Sequence, residues 1–303
     1  MAGQGNRDFF DEEFLARLER LHLIAKRLAA SGPGEAGRSR RLGDGLEFAD
    51  HRDYAPGDDI RFIDWPYYAR MEKLLLRMFH EHSEAGVVIL LDRSGSMAPA
   101  GDLEKFRYTL RAAAALAYVA MANLRSVVLL PFAERLERSI RTGRNRGQIF
   151  EVLDFLAELN PAGPTNLLDC VKLCCQRRRR QERGGTVLLL SDLLDCGDGL
   201  RDSLTWLRAA GCQTLVLHLY CEADASPQLA GPMLLSQAET NQQMNLHVTE
   251  AVLESYRRRW AAFLADCERT CRSQSAVYVA ASTAQPFERL ILRTLRRAGV
   301  LTG

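Results

Sequence analysis

A chain of 303 residues that is 47% hydrophobic and 26% charged has the composition of a soluble globular protein, with one large domain or one medium domain and an extension. Its formal net charge of +2 excludes any argument from bulk charge for binding to nucleic acids or membranes. A chain of this length does not need its eight cysteines as a disulfide scaffold, and they fit a reducing compartment.

The N-terminal residues 1–14 are polar and acidic where a signal peptide would have an apolar core. The longest apolar run, residues 112–122, is too short to span a bilayer. These two features predict a cytoplasmic protein without a membrane span.

Two segments of different character come first in the chain. Residues 1–42 predict a helix over 9–30, whose apolar side chains recur at helical spacing, followed by a linker rich in Gly, Ser and Arg. Residues 43–84 are rich in turn signals, charges and aromatic side chains, and predict a small antiparallel annex packed on the main domain. The crowded charges of this annex indicate internal ion pairs or, as the alternative, a docking surface for a partner.

From residue 85 to residue 303, short apolar runs alternate with helical stretches. The predicted strands are residues 87–91, 127–132, 186–190, 214–220 and 276–280. The predicted helices are residues 103–123, 147–158, 167–180, 200–210, 250–271 and 286–298. Continuous apolar runs are typical of strands that are buried on both faces, so this region predicts an α/β fold with a mostly parallel, doubly wound sheet. Residues 229–248 break the alternation and predict a hairpin insertion.

Polar side chains gather at one edge of the predicted sheet. Asp92, Ser94 and Ser96 alternate in the loop after the first apolar strand, Asp192 follows the strand 186–190, and Thr165 lies in a loop before a helix. Ligands bind outside the carboxyl ends of the strands in such sheets, and carboxylate and hydroxyl oxygens suit hard cations. These five residues predict a divalent-cation site, most simply for Mg²⁺, with Mn²⁺ or Ca²⁺ as alternatives. The competing interpretation is that Asp92 and Ser96 only cap the following helix.

The motif Asp92-Arg93-Ser94-Gly95-Ser96, with Thr165 and Asp192, resembles the metal-ion-dependent adhesion site of von Willebrand factor type A domains. The resemblance implies that the serines and the threonine coordinate the ion, that the aspartates act directly or through water, and that a carboxylate of a protein partner completes the shell. Pro164 departs from the pattern, because relatives commonly have a small residue there.

A second resemblance, to proteins with "domain of unknown function 58", covers residues 43 to 300. It is carried by Gly45-Leu46-Glu47-Phe48, Arg52-Asp53-Tyr54, residues 56–61, Ile63-Asp64-Trp65, Ala69-Arg70, Glu239-Thr240 and Tyr256. It implies a von Willebrand factor type A-like, Rossmann-like fold. Relatives are typically encoded beside MoxR-type AAA+ ATPases, which implies an adaptor or co-chaperone role with such an ATPase. The expected function is metal-dependent protein binding, with no nucleic-acid partner.

Catalysis at the same metal site is the competing hypothesis. A metal-dependent hydrolase would need a general base near the ion, and the sequence offers only Asp195 and Asp198. The chain has no Gly-x-Ser-x-Gly motif, and no cysteine has an evident histidine partner. We therefore expect a binding protein rather than an enzyme.

Four further patterns have simpler interpretations. Residues 32–39 differ from a phosphate-binding loop, because Arg38 replaces the lysine and a helix precedes them. Residues 177–180 form a basic helix end, which suits the helix dipole better than a nucleic-acid site. Residues 80–82 offer two histidines without a third ligand. The spacing of Cys170, Cys174, Cys175, Cys267 and Cys271 indicates packing within helices rather than a zinc site.

Overall fold

The computed structural model describes residues 10–30, 46–55, 63–81, 86–123, 125–143, 145–177, 185–194, 196–237 and 242–297. Residues 32–39, residues 178–180, His82, Asp195 and the Glu239-Thr240 pair lie outside the described residues. The chain divides into two compact units, residues 35–84 and residues 1–34 together with 85–303.

The bounds of the secondary-structure elements are as follows. The described helices are α1 (Glu12–Ala30), α2 (Trp65–Met71), α3 (Glu104–Ala122), α4 (Ile149–Ala157), α5 (Leu167–Arg177), α6 (Gly199–Ala209), α7 (Glu222–Ala225), α8 (Glu250–Ser273) and α9 (Phe287–Arg297). The described strands are β1 (Leu46–Asp53), β2 (Leu75–Glu81), β3 (Val87–Asp92), β4 (Val127–Phe132), β5 (Ile140–Thr142), β6 (Thr186–Ser191), β7 (Gln213–Tyr220), β8 (Gly231–Ser236), β9 (Gln243–Val248) and β10 (Val277–Ser282). None of the helices in the described part is both long enough and apolar enough to cross a membrane.

The smaller unit is an antiparallel strand pair, β1 with β2, joined through α2. The Asp64 carboxylate accepts the backbone N–H of Tyr67 at 3.0 Å and so caps the first turn of α2. Pro66 fits that turn because its missing N–H would have no helical partner there. The small antiparallel annex of the predicted fold is thus confirmed, whereas its bounds at residues 43–84 and its packing on the main domain stay predictions.

The larger unit is built on a six-stranded sheet with the order β10-β7-β6-β3-β4-β5. All neighbouring strands in it are parallel except β4 and β5. Every residue of β3 and β6 is buried, because helices cover both faces of the sheet. The predicted α/β fold with a mostly parallel, doubly wound sheet is confirmed. The hairpin of β8 and β9 also confirms the insertion predicted at residues 229–248.

One apolar cluster lies on each face of this sheet. The first includes buried side chains of α1, α3, α4 and α9, and the second includes those of α5, α6 and α8. Helix α1 joins the first cluster through Phe14, Leu18 and Leu21, each at most 3% exposed. The Phe14 ring lies 5.4 Å from the ring of Phe287 on α9. The N-terminal helix is therefore part of the larger unit's core.

The order of the strands creates a switch point between β3 and β6. These two strands are neighbours, but the chain leaves β3 towards β4 on one side and later returns as β6 on the other side. Such a reversal opens a crevice outside the carboxyl ends of the two strands, where doubly wound proteins bind ligands. Asp92 ends β3, and Asp192 directly follows Ser191 at the end of β6. The topology thus brings both predicted carboxylates to the same edge of the sheet, at the switch point.

Candidate metal centre

A connected set of buried oxygen atoms lies at this switch point. The backbone N–H of Ser94 donates to Asp92 Oδ1 at 2.9 Å, and the Oγ atoms of Ser94 and Ser96 are 3.0 Å apart. Ser96 Oγ donates to Asp192 Oδ1 at 3.3 Å. Asp92, Ser94 and Asp192 are at most 1% exposed, and Ser96 is 6% exposed. The structure therefore gathers four of the five predicted ligands into one cluster.

Thr165 lies in a loop that is held against the serine loop by two backbone hydrogen bonds. Gly95 N–H donates to the Gly163 carbonyl at 2.8 Å, and Ala162 N–H donates to the Arg93 carbonyl at 2.8 Å. Gly163 has φ +78°, a left-handed conformation that glycine adopts without a Cβ clash. The Thr165 Oγ1 atom is buried. The fifth predicted residue is thus placed on the loop adjoining the cluster.

Ser191 supports the site, although it is absent from the predicted ligand set. Its Oγ donates to Asp92 Oδ2 at 2.6 Å and accepts the Leu193 N–H at 2.9 Å. Leu193 has φ +57°, which is unfavourable for a residue with a Cβ, and its side chain is 1% exposed. Strain of this kind costs about 1–3 kcal/mol and persists only where the surroundings impose it. The turn after β6 is therefore held in a strained shape next to Asp192.

Lys105 is the second residue that the sequence did not single out. Its Nζ lies 2.8 Å from Asp192 Oδ2 and 3.1 Å from Asp224 Oδ2, and its side chain is 1% exposed. Asp224 belongs to α7, and its Oδ2 also accepts the Cys221 N–H at 2.9 Å. A lysine in the first turn of a helix usually reaches solvent, and its two partners here are 87 and 119 residues away. Only the tertiary structure shows this ion-pair cluster.

The electrostatics of the cluster reflect two carboxylates taken out of water. Burial, followed by the charge of Asp192, raises the pKa of Asp92 to about 7, although hydrogen bonds from Ser191 and Ser94 favour its ionised form. Burial also raises the pKa of Asp192, and Lys105 partly offsets that effect. Burial alone would lower the pKa of Lys105, but Asp192 and Asp224 raise it above its ordinary value. A cation beside both carboxylates would relieve their mutual repulsion.

The chemistry of the donor set fits a hard divalent cation. All donors are oxygen atoms, two from carboxylates and the others from hydroxyl groups, as Mg²⁺, Mn²⁺ and Ca²⁺ prefer. The described ranges contain no group of three or more His, Cys, Asp or Glu side chains that could hold a metal ion. Any ion at the switch point would therefore rely on the serine and threonine hydroxyls as well as on the two aspartates.

The cysteines considered for zinc lie mainly in the core. Cys170, Cys174, Cys267 and Cys271 are buried within the second apolar cluster. Burial raises the pKa of Cys170, Cys267 and Cys271 to about 12, as expected for thiols surrounded by apolar side chains. They pack as small apolar side chains, as their spacing within the helices indicates.

The sequence matches the family model described as "Protein of unknown function DUF58" over residues 50–266. A similar relative is the uncharacterized protein Rv1480 of Mycobacterium tuberculosis, with 26% identity over 271 residues that cover 86% of this chain and 83% of the relative. One similar solved structure is BatB from Bacteroides thetaiotaomicron, with a TM-score of 0.43 and 14% identity over 71% of this chain and 99% of that chain. Another is the SpRpn10 VWA domain, with a TM-score of 0.38 and 11% identity over 69% of this chain and 94% of that domain.

Proposed function

This chain belongs to the family of proteins of unknown function DUF58, and we propose that it acts as a metal-dependent protein-binding module. The observation that carries the proposal is the buried oxygen cluster of Asp92, Ser94, Ser96 and Asp192 at the switch point. We propose Mg²⁺ as the resident ion, with Mn²⁺ or Ca²⁺ as substitutes, and Thr165 as a ligand from the adjoining loop.

The ion, when bound, supplies an open coordination position for a carboxylate oxygen from outside. The residues of this chain would hold the ion without fully neutralising its positive charge. Asp92 and Asp192 provide two carboxylates, and the second is already paired with Lys105 at 2.8 Å. The serine hydroxyls are neutral donors. An acidic side chain of a partner protein is the ligand that such a site attracts best.

Protein capture agrees better with this geometry than hydrolysis does. Hydrolysis needs a general base within reach of the reacting water. Among the described side chains bonded to the cluster, Lys105 is held in its charged form by two carboxylates, and serine hydroxyls do not take protons at neutral pH. The carboxylates of Asp92 and Asp192 would be used as ligands of the ion, and that of Asp224 is paired with Lys105. Asp198, one of the two predicted bases, is exposed at the start of α6. Binding requires no base, only a site for the partner's carboxylate.

For the partner we propose a MoxR-type AAA+ ATPase or its client, with this chain as adaptor or co-chaperone. The support for this choice is the resemblance in the segment 43–84 and at the metal motif. The group recognised at the site would be an exposed aspartate or glutamate of that partner.

A pull-down with a purified MoxR-type ATPase tests the proposed function. We expect wild type to be retained in Mg²⁺ and released in EDTA, and Asp92→Ala to be released in both. Asp202→Ala removes an exposed carboxylate of α6 and should behave as wild type. Equal retention in all conditions would contradict metal-dependent capture. Hydrolysis of a phosphoester or peptide that requires both Mg²⁺ and Asp92 would establish the enzyme function instead.

A further inference from the structure

Lys105 is a buried cation in direct contact with a proposed metal ligand. A lysine that is 1% exposed is tolerated only when its charge is paired, and here two carboxylates within 3.1 Å pair with it. An ammonium group donates hydrogen bonds and cannot ligate a metal ion. Its position beside Asp192 therefore affects the metal site through charge and not through coordination.

The two oxygens of Asp192 have different neighbours. Asp192 Oδ1 accepts Ser96 Oγ at 3.3 Å and the Leu194 N–H at 3.1 Å, so it lies on the side of the serine loop. Asp192 Oδ2 accepts Lys105 Nζ at 2.8 Å. The Asp192 carboxylate, which would hold the ion at the serine loop, is thus already neutralised in part by Lys105.

We infer that Lys105 is an internal counter-ion that weakens the metal site, and that Asp224 limits how strongly it does so. This inference rests on the proposed function and deepens it. Asp224 shares the ammonium group with Asp192, so it draws part of the positive charge away from the metal ligand. The ammonium group would repel a divalent ion held beside Asp192, because like charges interact more strongly in a buried site than in water. A site weakened in this way retains its ion best when a partner's carboxylate adds negative charge.

A purely structural role for Lys105 makes different predictions. Asp224 is also fixed by its neighbours, since its Oδ2 accepts the Cys221 N–H at 2.9 Å and its backbone carbonyl accepts the Tyr256 hydroxyl at 2.6 Å. If Lys105 only tied α3 to α7, removal of either partner would lower stability and leave metal affinity unchanged. The counter-ion role instead predicts that removal of the Lys105 charge raises the metal affinity and that removal of the Asp224 charge lowers it.

The experiment is a calorimetric titration of the full chain with MgCl₂ and with MnCl₂. Lys105→Met removes the positive charge beside Asp192 and should bind each ion more tightly than wild type, because a buried like charge no longer repels the ion. Asp224→Asn removes the second carboxylate that pairs with Lys105, so Asp192 alone neutralises the ammonium group. This variant should bind each ion several-fold more weakly than wild type. The asparagine amide oxygen can still accept the Cys221 N–H, so Asp224→Asn decides the question even if Lys105→Met does not fold.

The control is Asp266→Asn, which changes an exposed aspartate that pairs with Arg269 at 2.9 Å on α8. It should leave the affinity for both ions unchanged. An unchanged or higher affinity in Asp224→Asn, or a lower affinity in folded Lys105→Met, overturns the counter-ion role. If wild type binds either ion in an Asp92-dependent way while Asp224→Asn matches wild type, only this inference fails. If wild type binds neither ion, the proposed function fails with it.

Discussion

Ser191 Oγ donates a 2.6 Å hydrogen bond to Asp92 Oδ2, so the last residue of β6 fixes the carboxylate that ends β3. The two strands are parallel neighbours, with Leu91 opposite Leu190 in their register. The position of the Asp92 side chain is therefore set by the sheet itself and not by the loop alone. A site built at strand ends in this way is ordered before any ligand arrives.

The first prediction concerns this hydrogen bond. Ser191→Ala removes the donor that orients Asp92 and should lower the affinity for Mg²⁺ by about tenfold, the usual effect of losing a group that orients a metal ligand. Calorimetric titration with MgCl₂ measures this change. Ser203→Ala, at a fully buried serine of α6 whose Oγ has no hydrogen-bond partner among the described residues, is the matched control and should leave the affinity unchanged. Equal affinities for Ser191→Ala and wild type would remove Ser191 from the site.

The second prediction concerns the loop that carries Thr165. Gly163→Ala adds a Cβ at φ +78° and should lower the free energy of unfolding by about 1 kcal/mol. Because the Gly163 carbonyl accepts the Gly95 N–H at 2.8 Å, the same change should also weaken Mg²⁺ binding. Gly231→Ala, at φ +81° in β8, imposes the same strain away from the site. A similar loss of Mg²⁺ affinity in both variants would show that the Gly163 loop has no particular role.

The third prediction concerns the N-terminal helix. Leu18→Ala on α1 truncates a side chain that is 1% exposed and leaves a cavity in its place. It should lower the free energy of unfolding by about 2–4 kcal/mol. Leu23→Ala changes a side chain of the same helix that is 56% exposed and should have little effect. Urea denaturation followed by circular dichroism compares the two. Similar stabilities would contradict the assignment of α1 to the core of the larger unit.

The fourth prediction concerns a buried histidine. His218 is fully buried, and its Nδ1 lies 2.7 Å from the Tyr278 hydroxyl among the rings of Tyr220, Trp260 and Phe263. Burial, and then the charge of Lys105, lowers the pKa of His218 to about 4. The unfolded chain, with a histidine pKa near 6.5, therefore binds more protons than the folded chain between these two values.

Acidification should therefore destabilise the folded chain through His218. The contribution of His218 to stability is complete above about pH 6.5 and falls by up to about 1.4 kcal/mol per pH unit as the pH drops towards 4. The raised pKa of Asp92 acts in the opposite direction, so wild type is compared with His218→Phe, which retains an aromatic ring and cannot be protonated. Urea denaturation should show wild type losing stability relative to His218→Phe on acidification. A constant difference between the two would contradict a neutral buried His218.

The sequence predicted the parts of the fold that depend on local pattern. Mostly apolar runs marked β3, β4, β6, β7 and β10, because strands covered by helices consist largely of apolar residues. Asp92 and Asp192 were predicted to meet because each follows such a strand. By contrast, β5 has only three residues and includes the exposed Arg141, so it carries no periodic signal.

The site residues that the sequence did not predict act through contacts with distant parts of the chain. The Lys105 ammonium contacts Asp192 and Asp224, and neither pairing is encoded near residue 105 in the chain. Asp224 lies in the four-residue helix α7, which is too short for a helical pattern to be recognised. Ser191 had a local signal, since it directly precedes Asp192 at the end of an apolar strand. Its role became visible only once β6 was placed beside β3.

The central claim is that the cluster at the end of β3 and β6 binds a divalent cation. Calorimetric titration of the wild-type chain with MgCl₂, beside Asp92→Ala and the exposed control Asp202→Ala, tests it most directly. We predict binding of one ion per chain in wild type and Asp202→Ala, and loss of binding in Asp92→Ala with the fold retained by circular dichroism. The same Mg²⁺ affinity in Asp92→Ala as in wild type, or no binding of Mg²⁺, Mn²⁺ or Ca²⁺ to wild type, would contradict the account.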